Sequence, residues 1–203
     1  MNKNKNNIKK IIEISKYLFK QKLVSGKAGN VSARFKDDGM DVIAITPTLK
    51  SLGDLKEEDI ILVDLEGNNL TKGTPSSEVY LHLAIYKEKK DIGGIVHTHS
   101  PYATGFAFSD RKLKWLEGFG KIKTPYLAEI AYEKPGSEQL AIKSAEALKN
   151  EDVLILKEHG VIATAVTLKE ACALAEFVED IAKTQYVTHI VNLWFFYKYT
   201  EFD

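Results

Sequence analysis

The chain predicts an α/β fold whose sheet is antiparallel at least in its first half, and three observations carry that expectation. Amphipathic helical periodicity brackets the sequence at both ends. Between these ends, short Ile- and Val-rich segments of strand character alternate with further helical stretches. The first strands are joined by turns too short for a parallel crossover. A length of 203 residues fits one domain, 1–203, with enough chain to bury a full core.

The elements follow in order. Ile8, Ile11, Ile12, Leu18 and Leu23 recur at helical spacing among lysines, predicting a first helix from Ile8 to about Lys22. Ser25-Gly26-Lys27-Ala28-Gly29-Asn30 then turns into an alternating strand through Phe35. Two readings of this turn stand: a plain helix-to-strand link, or backbone N–H groups arranged around a phosphate with Lys27 nearby. Met40–Ile45 is a second strand, ending in Thr46-Pro47-Thr48, and Asp59–Leu65 a third, closed by Glu66-Gly67-Asn68-Asn69.

Thr74-Pro75-Ser76-Ser77-Glu78 leads into a helix with Val79, Leu83 and Ile85-Tyr86 on its buried face. Ser76 or Ser77 suits the N-cap, and either could equally hold a phosphate at the positive end of the helix. Glu78 has first-turn dipole stabilisation as its local explanation, and His82 reads as packing or surface. Gly94-Ile95-Val96-His97-Thr98-His99 is a strand, and Ser100-Pro101 opens a further helix. The span 109–135 carries no clear periodicity, with Trp115, Phe119, Tyr126 and Tyr132 scattered among charges. Pro135-Gly136-Ser137 begins a helix to about Lys149, Asp152–Leu156 is a strand ending near His159-Gly160, and Val161–Ala165 returns from it. Thr167 and Glu170 form a capping box for the last helix, which reaches Tyr186 or Asn192. Its aromatic tail, Leu193 to Tyr199, reads as a docking segment against its own domain or a neighbouring subunit.

Composition narrows the function. Lys plus Arg and Asp plus Glu each total 28, so no net field draws the chain to nucleic acid or an anionic membrane. The expected partner is small or proteinaceous. No apolar run approaches the roughly 20 residues of a membrane span, and the Asn/Lys-rich start lacks the features of a secretory signal, so a cytoplasmic protein is expected. The one cysteine, Cys172, excludes an intrachain disulfide and a cysteine-type zinc site.

Alternation places His97 and His99 on one face of their strand, where they either share a metal ion or are buried and hydrogen-bonded. With His159 they would make the three-ligand set of a catalytic zinc, leaving one position for water or substrate. Glu78 then becomes the acid/base, with Ser76, Ser77 and the Gly29-Asn30 turn as anion donors at the rim.

Gly29-Asn30-Val31-Ser32, Ile45-Thr46-Pro47-Thr48, Pro75-Ser76-Ser77-Glu78, His97-Thr98-His99-Ser100 and His159-Gly160 occur in the order of the class II aldolase/adducin-head family, which the chain resembles over nearly its whole length. The resemblance implies a three-layer α/β/α fold around a mostly antiparallel central sheet. It implies zinc or another divalent ion on His97, His99 and His159, Glu78 as the catalytic base, and a homotetramer with sites between neighbours. It places substrate phosphate on Gly29, Asn30, Thr48, Ser76 and Ser77. The implied reaction is reversible retro-aldol cleavage of a fuculose-1-phosphate-like ketose or deoxyketose 1-phosphate to dihydroxyacetone phosphate and an aldehyde. A methylthioribulose-1-phosphate-type dehydratase, a pentulose-5-phosphate 4-epimerase and a non-catalytic interaction domain are the alternatives. The epimerases resemble this chain less, having Asp where Glu78 stands.

Two positions depart from the pattern. Leu49 follows Thr-Pro-Thr where the family's aldolases have Gly, which narrows or reshapes the phosphate pocket. Lys27 replaces a small hydroxyl residue, and either compensates as a phosphate cation or marks a different substrate. Tyr102, Tyr126 and Tyr132 are candidates for the family's catalytic tyrosines, with no one of them singled out.

Overall fold

The computed structural model describes residues 2–118 and 122–200, with side chains over 5–118 and 122–194. Phe119 and the side chains of the tail from Phe195 to Tyr199 lie outside the described residues. The order is α1 (Asn2–Lys20), β1 (Asn30–Asp37), β2 (Met40–Ile45), β3 (Ile61–Val63), α2 (Val79–Glu88), β4 (Gly94–Thr98), α3 (Pro101–Ala107), β5 (Ala128–Ile130), α4 (Glu138–Ala147), β6 (Val153–Leu156), β7 (Gly160–Ala165) and α5 (Leu168–Thr200).

The strands form one seven-stranded sheet, β3-β2-β1-β4-β7-β6-β5. Every pairing is antiparallel except β5 with β6, where the chain crosses over through α4. The expected mostly antiparallel α/β architecture is present.

Alternation along the strands assigns the layers. Ile43, Ile45, Ile95, Leu154 and Ile162 pack with Val79, Leu83, Tyr86, Leu140 and Leu148 of the α2/α4 side. Val31, Ala33, Ala44, Val96 and Ala163 pack instead with Ile11, Leu18, Leu168, Ala171 and Ala175 of the α1/α5 side. A third cluster joins Ala103 and Ala107 of α3 to Val153, Ile155, Val161, Val178 and Ile181. Two helical layers thus enclose the sheet.

Several boundaries differ from the sequence reading. α1 begins at Asn2, because the Asn/Lys start continues the helix. The third strand is cut to Ile61–Val63, since Leu52–Asp54 and Glu57–Asp59 form 3-10 turns, the second held where Asp59 Oδ2 accepts from the Lys56 N–H. β5 was not expected: three half-buried residues at the sheet edge give no periodic signal. The Thr167 capping box is present, with Thr167 N–H donating to Glu170 and Glu170 N–H to Thr167 Oγ1. Ser137 likewise caps α4. α5 runs 33 residues, through the tail. Among the described residues no helix is long and apolar enough to cross a membrane.

Candidate active site

His97 is the penultimate residue of β4, His99 lies just beyond the strand, and His159 sits in the turn between β6 and β7. Because β4 pairs with β7, Thr98 opposite Val161, the β6–β7 hairpin brings His159 against the other two. The hairpin can close this far only because Gly160 has no side chain. A Cβ there would lie 2.5 Å from the Thr98 carbonyl oxygen and 3.3 and 3.4 Å from the His97 and His99 rings.

The three rings meet edge to face, with centroids 4.7 to 5.0 Å apart. Their ligand nitrogens all lie within 4.8 Å of one another. His97 Nδ1–H donates to the Val161 carbonyl at 2.9 Å, which fixes its tautomer and leaves the Nε2 lone pair facing the cluster. His99 Nε2 is 2.9 Å from that atom. Burial pushes the His99 imidazole down to about 3 and that of His159 to about 4, with the proximity of His97 acting in the same direction. Neutral imidazoles with converging lone pairs are the form in which histidine binds a divalent cation. This donor set fits three-nitrogen ligation of such an ion.

Glu78 occupies the N-cap position of α2. The expected N-cap role of Ser76 or Ser77 is therefore displaced by two residues or one, and Ser76 Oγ instead accepts the Glu78 N–H at 3.2 Å. Only 6% exposed, Glu78 turns its carboxylate to the triad: Oε2 is 3.3 Å from His97 Nε2, and Oε1 is 3.6 Å from His159 Nε2. Asn30 Nδ2 donates to Oε2 at 2.8 Å. Burial alone would raise this carboxyl, but the facing His97 and His159 imidazoles and the Asn30 bond outweigh it and hold it below its usual range. Oε1 and His159 Nδ1 are buried without a hydrogen-bond partner.

The remaining predicted residues lie on the turn before β1 and on the loops that flank the N-terminus of α2. Gly29 holds φ at +79°, and a Cβ there would lie 2.8 Å from the His97 carbonyl oxygen. Thr46 O accepts from Ser76 N–H and Thr74 O from Thr48 N–H, so the loop after β2 and the loop before α2 are laced together around a Pro47–Pro75 bridge. Thr48 is half-buried, Ser76 buried and Ser77 exposed, while Lys27 is exposed on the turn before Gly29. Leu49 stands 75% exposed with φ at +57°, a left-handed conformation that glycine adopts without strain.

Of the tyrosines, Tyr102 and Tyr126 line a cavity of about 1010 Å³ between α3, the 109–126 span and α5, and Tyr132 is half exposed elsewhere. His82 is fully buried and hydrogen-bonded, as its packing reading expects. What the sequence reading missed is its company. Glu78, His82 and Tyr86 recur every four residues on α2, and Asn30, Ser32 and Arg34 every two on β1, so the two rows face each other. Combining a helical period with a strand period would have found the pair.

The fold and the triad define a class: a three-layer α/β protein with three histidines that could hold a metal ion and a buried carboxylate beside them. The chain matches the Class II Aldolase and Adducin N-terminal domain family over residues 9–186, and it belongs to that family. It is an enzyme of the lyase class. Among its relatives, an L-fuculose phosphate aldolase of Methanococcus maripaludis is 41% identical over 181 residues, covering 89% of this chain and 96% of the relative. A 5-deoxy-D-ribulose 1-phosphate aldolase of Bacillus thuringiensis is 32% identical, covering 90% and 85%. A solved L-fuculose 1-phosphate aldolase superimposes with a TM-score of 0.83 at 30% identity, covering 92% of this chain and 87% of that one.

Proposed function

We propose that the chain is a divalent-metal-dependent aldolase that cleaves a ketose or deoxyketose 1-phosphate to dihydroxyacetone phosphate and an aldehyde. The observation that carries the reading is the Glu78 carboxylate, buried and within 3.3 and 3.6 Å of two of three converging imidazoles. The names of the relatives supply the substrate class, a sugar phosphate.

His97, His99 and His159 would hold the ion, with zinc the expected metal. When bound it supplies Lewis-acid polarisation of a carbonyl oxygen and neutralises negative charge that develops nearby. The chain's own residues do the rest. Breaking the C3–C4 bond leaves its electron pair on the C2–C3 unit. C4 becomes an aldehyde as its hydroxyl proton passes to the ionised Glu78 carboxylate, and C3 must then receive a proton. Glu78 is placed to deliver it through Oε1, the oxygen without a hydrogen bond. Gly29, Asn30, Thr48, Ser76 and Ser77 supply the phosphate contacts, with Leu49 shaping the edge of that pocket. In the reverse direction Glu78 removes the proton from the same carbon.

The working unit is a homo-oligomer, with a tetramer expected. Val187, Ile190, Val191, Leu193 and Trp194 of α5 are between 41% and 58% exposed, a row suited to a neighbouring subunit. Light scattering on the full chain reads the assembly directly.

The deciding experiment pairs metal analysis with product detection. Protein purified without chelator carries about one divalent ion per subunit and releases dihydroxyacetone phosphate from L-fuculose 1-phosphate or 5-deoxy-D-ribulose 1-phosphate. Metal-loaded protein that dehydrates a ketose 1-phosphate without releasing triose phosphate would replace cleavage by the dehydratase reading. Folded protein that retains no ion after incubation with zinc would leave the interaction-domain reading.

A further inference from the structure

The facing rows of α2 and β1 form a continuous buried chain of hydrogen bonds that ends on Glu78. Four helical residues advance about 6 Å and two strand residues about 6.6 Å, so the rows stay in step over three repeats. Tyr86 Oη lies 3.0 Å from Ser32 Oγ, Ser32 Oγ lies 2.6 Å from His82 Nδ1, and His82 Nε2 lies 2.5 Å from Asn30 Oδ1. Asn30 Nδ2 closes the chain on Glu78 Oε2 at 2.8 Å. Arg34 clamps the far end, its guanidinium donating to the Tyr86 carbonyl in the last turn of α2 and to those of Lys89, Lys90 and Ile92 just after it.

Donor and acceptor identities fix the direction of every link. An ionised Glu78 only accepts, so Asn30 must present its NH2 group there and its carbonyl to His82. His82 must then carry its hydrogen on Nε2 and accept on Nδ1. Ser32 donates to Nδ1, and its oxygen accepts from the Tyr86 hydroxyl. Each donor in the row points toward the carboxylate.

We propose that His82 is a positioning residue for Glu78: held in its Nε2–H tautomer by Ser32, it locks the Asn30 carboxamide with an N–H on Oε2 and so keeps Oε1 free to exchange a proton with substrate. The alternative orientation of Asn30 would set its carbonyl against the Glu78 carboxylate. Removing His82 removes one of the two contacts that hold Asn30 in this orientation, the other being the carboxylate itself. The second hydrogen of Asn30 Nδ2 stays free, which lets the same carboxamide also meet the substrate. The proposal rests on the aldolase reading for the role of Glu78, and not for the tautomer.

Two measurements on the full-length, metal-loaded chain test it. Nitrogen-15 spectra of the imidazoles in the absence of substrate show His82 as the Nε2–H tautomer, with its proton protected from exchange; an Nδ1–H tautomer overturns the proposal. For catalysis, His82→Leu lowers kcat for L-fuculose 1-phosphate on the order of 10- to 100-fold, the usual range for residues that orient a ligand or base from behind. KM changes little and metal content stays at the wild-type value. His82→Gln, which puts an amide N–H in place of Nε2–H, recovers most of kcat. A merely structural role would lower the folded fraction and leave kcat per folded, metal-loaded subunit unchanged, and that result overturns the proposal. Should wild-type protein leave both L-fuculose 1-phosphate and 5-deoxy-D-ribulose 1-phosphate intact, the aldolase reading fails alone and the tautomer decides the positioning role.

Discussion

His82 and the triad of His97, His99 and His159 meet burial in opposite ways. His82 is fully buried with a partner on each ring nitrogen, Ser32 on one and Asn30 on the other. His97, His99 and His159 turn nitrogens toward one another and toward Glu78, and His159 Nδ1 and Glu78 Oε1 have no hydrogen-bond partner at all. A buried polar atom left unpaired costs about 1–3 kcal/mol. The first set is therefore complete as it stands, while the second is arranged for something that binds. Burial does not separate a structural histidine from a functional one. What sets the second group apart is the unpaired pair of atoms, His159 Nδ1 and Glu78 Oε1.

The sharpest way to break this contrast is to remove one member of each set. His159→Ala takes a ligand from the triad and leaves the His82 chain whole. Metal falls from about one ion per subunit to near none, and cleavage falls at least about a thousand-fold, equivalent to about 4 kcal/mol of transition-state stabilisation. Retention of both metal and activity would show that the convergence of the three rings is packing only.

Glu78→Gln tests the oxygen that joins the two sets. The amide keeps an acceptor for Asn30 and the shape of the side chain, but it cannot carry a proton. Metal content stays at the wild-type value while kcat falls by about 10²–10⁴-fold. A variant that loses metal and activity together would make Glu78 a ligand and not the proton carrier.

The contrast also has a pH signature. Burial, which outweighs the opposing pull of Glu78, lowers His82 from 6.5 to about 3. Between these values the unfolded chain holds a proton on this imidazole that the native chain does not, so stability falls as pH falls through the window. The slope from one such group reaches about 1.4 kcal/mol per pH unit. Above pH 6.5 the contribution is fully present. Urea denaturation at pH 4, 5, 6 and 7 shows this decline, and His82→Leu flattens it by up to that amount. An unchanged slope in the variant would mean that His82 titrates near its ordinary value in the folded chain.

Much of this was legible in the sequence, for identifiable reasons. The α/β class, the antiparallel turns and the capped helices α4 and α5 follow from periodicity and end signals that act over a few residues. His97 and His99 were readable as a pair because a strand puts alternate residues on one side. β5 was not readable, since three half-buried edge residues owe their conformation to pairing with β6. The company of His82 was also hidden, because it depends on 48 to 54 residues of sequence separation between β1 and α2. Taken one at a time, Ser32, His82 and Tyr86 are an unremarkable strand serine, a helix histidine and a core tyrosine.

The smallest expected effect lies at the far end of the same row. Tyr86 is fully buried, and burial holds its phenol protonated well above the usual range, so its hydroxyl serves as a donor to Ser32. Tyr86→Phe keeps the ring that packs with Ile85, Leu83 and the sheet and removes one hydrogen bond. Ser32 loses a donor but still gives its own hydrogen to His82, so the tautomer is unchanged. Stability drops by about 1 kcal/mol, the net worth of one buried hydrogen bond. Activity stays within about two-fold, far below the kcat loss expected for His82→Leu. The row thus predicts a gradient: effects on kcat diminish with each bond away from Glu78, while effects on folding do not. Should Tyr86→Phe depress kcat as strongly as His82→Leu, with metal bound and the fold intact, the chain would act as one cooperative unit.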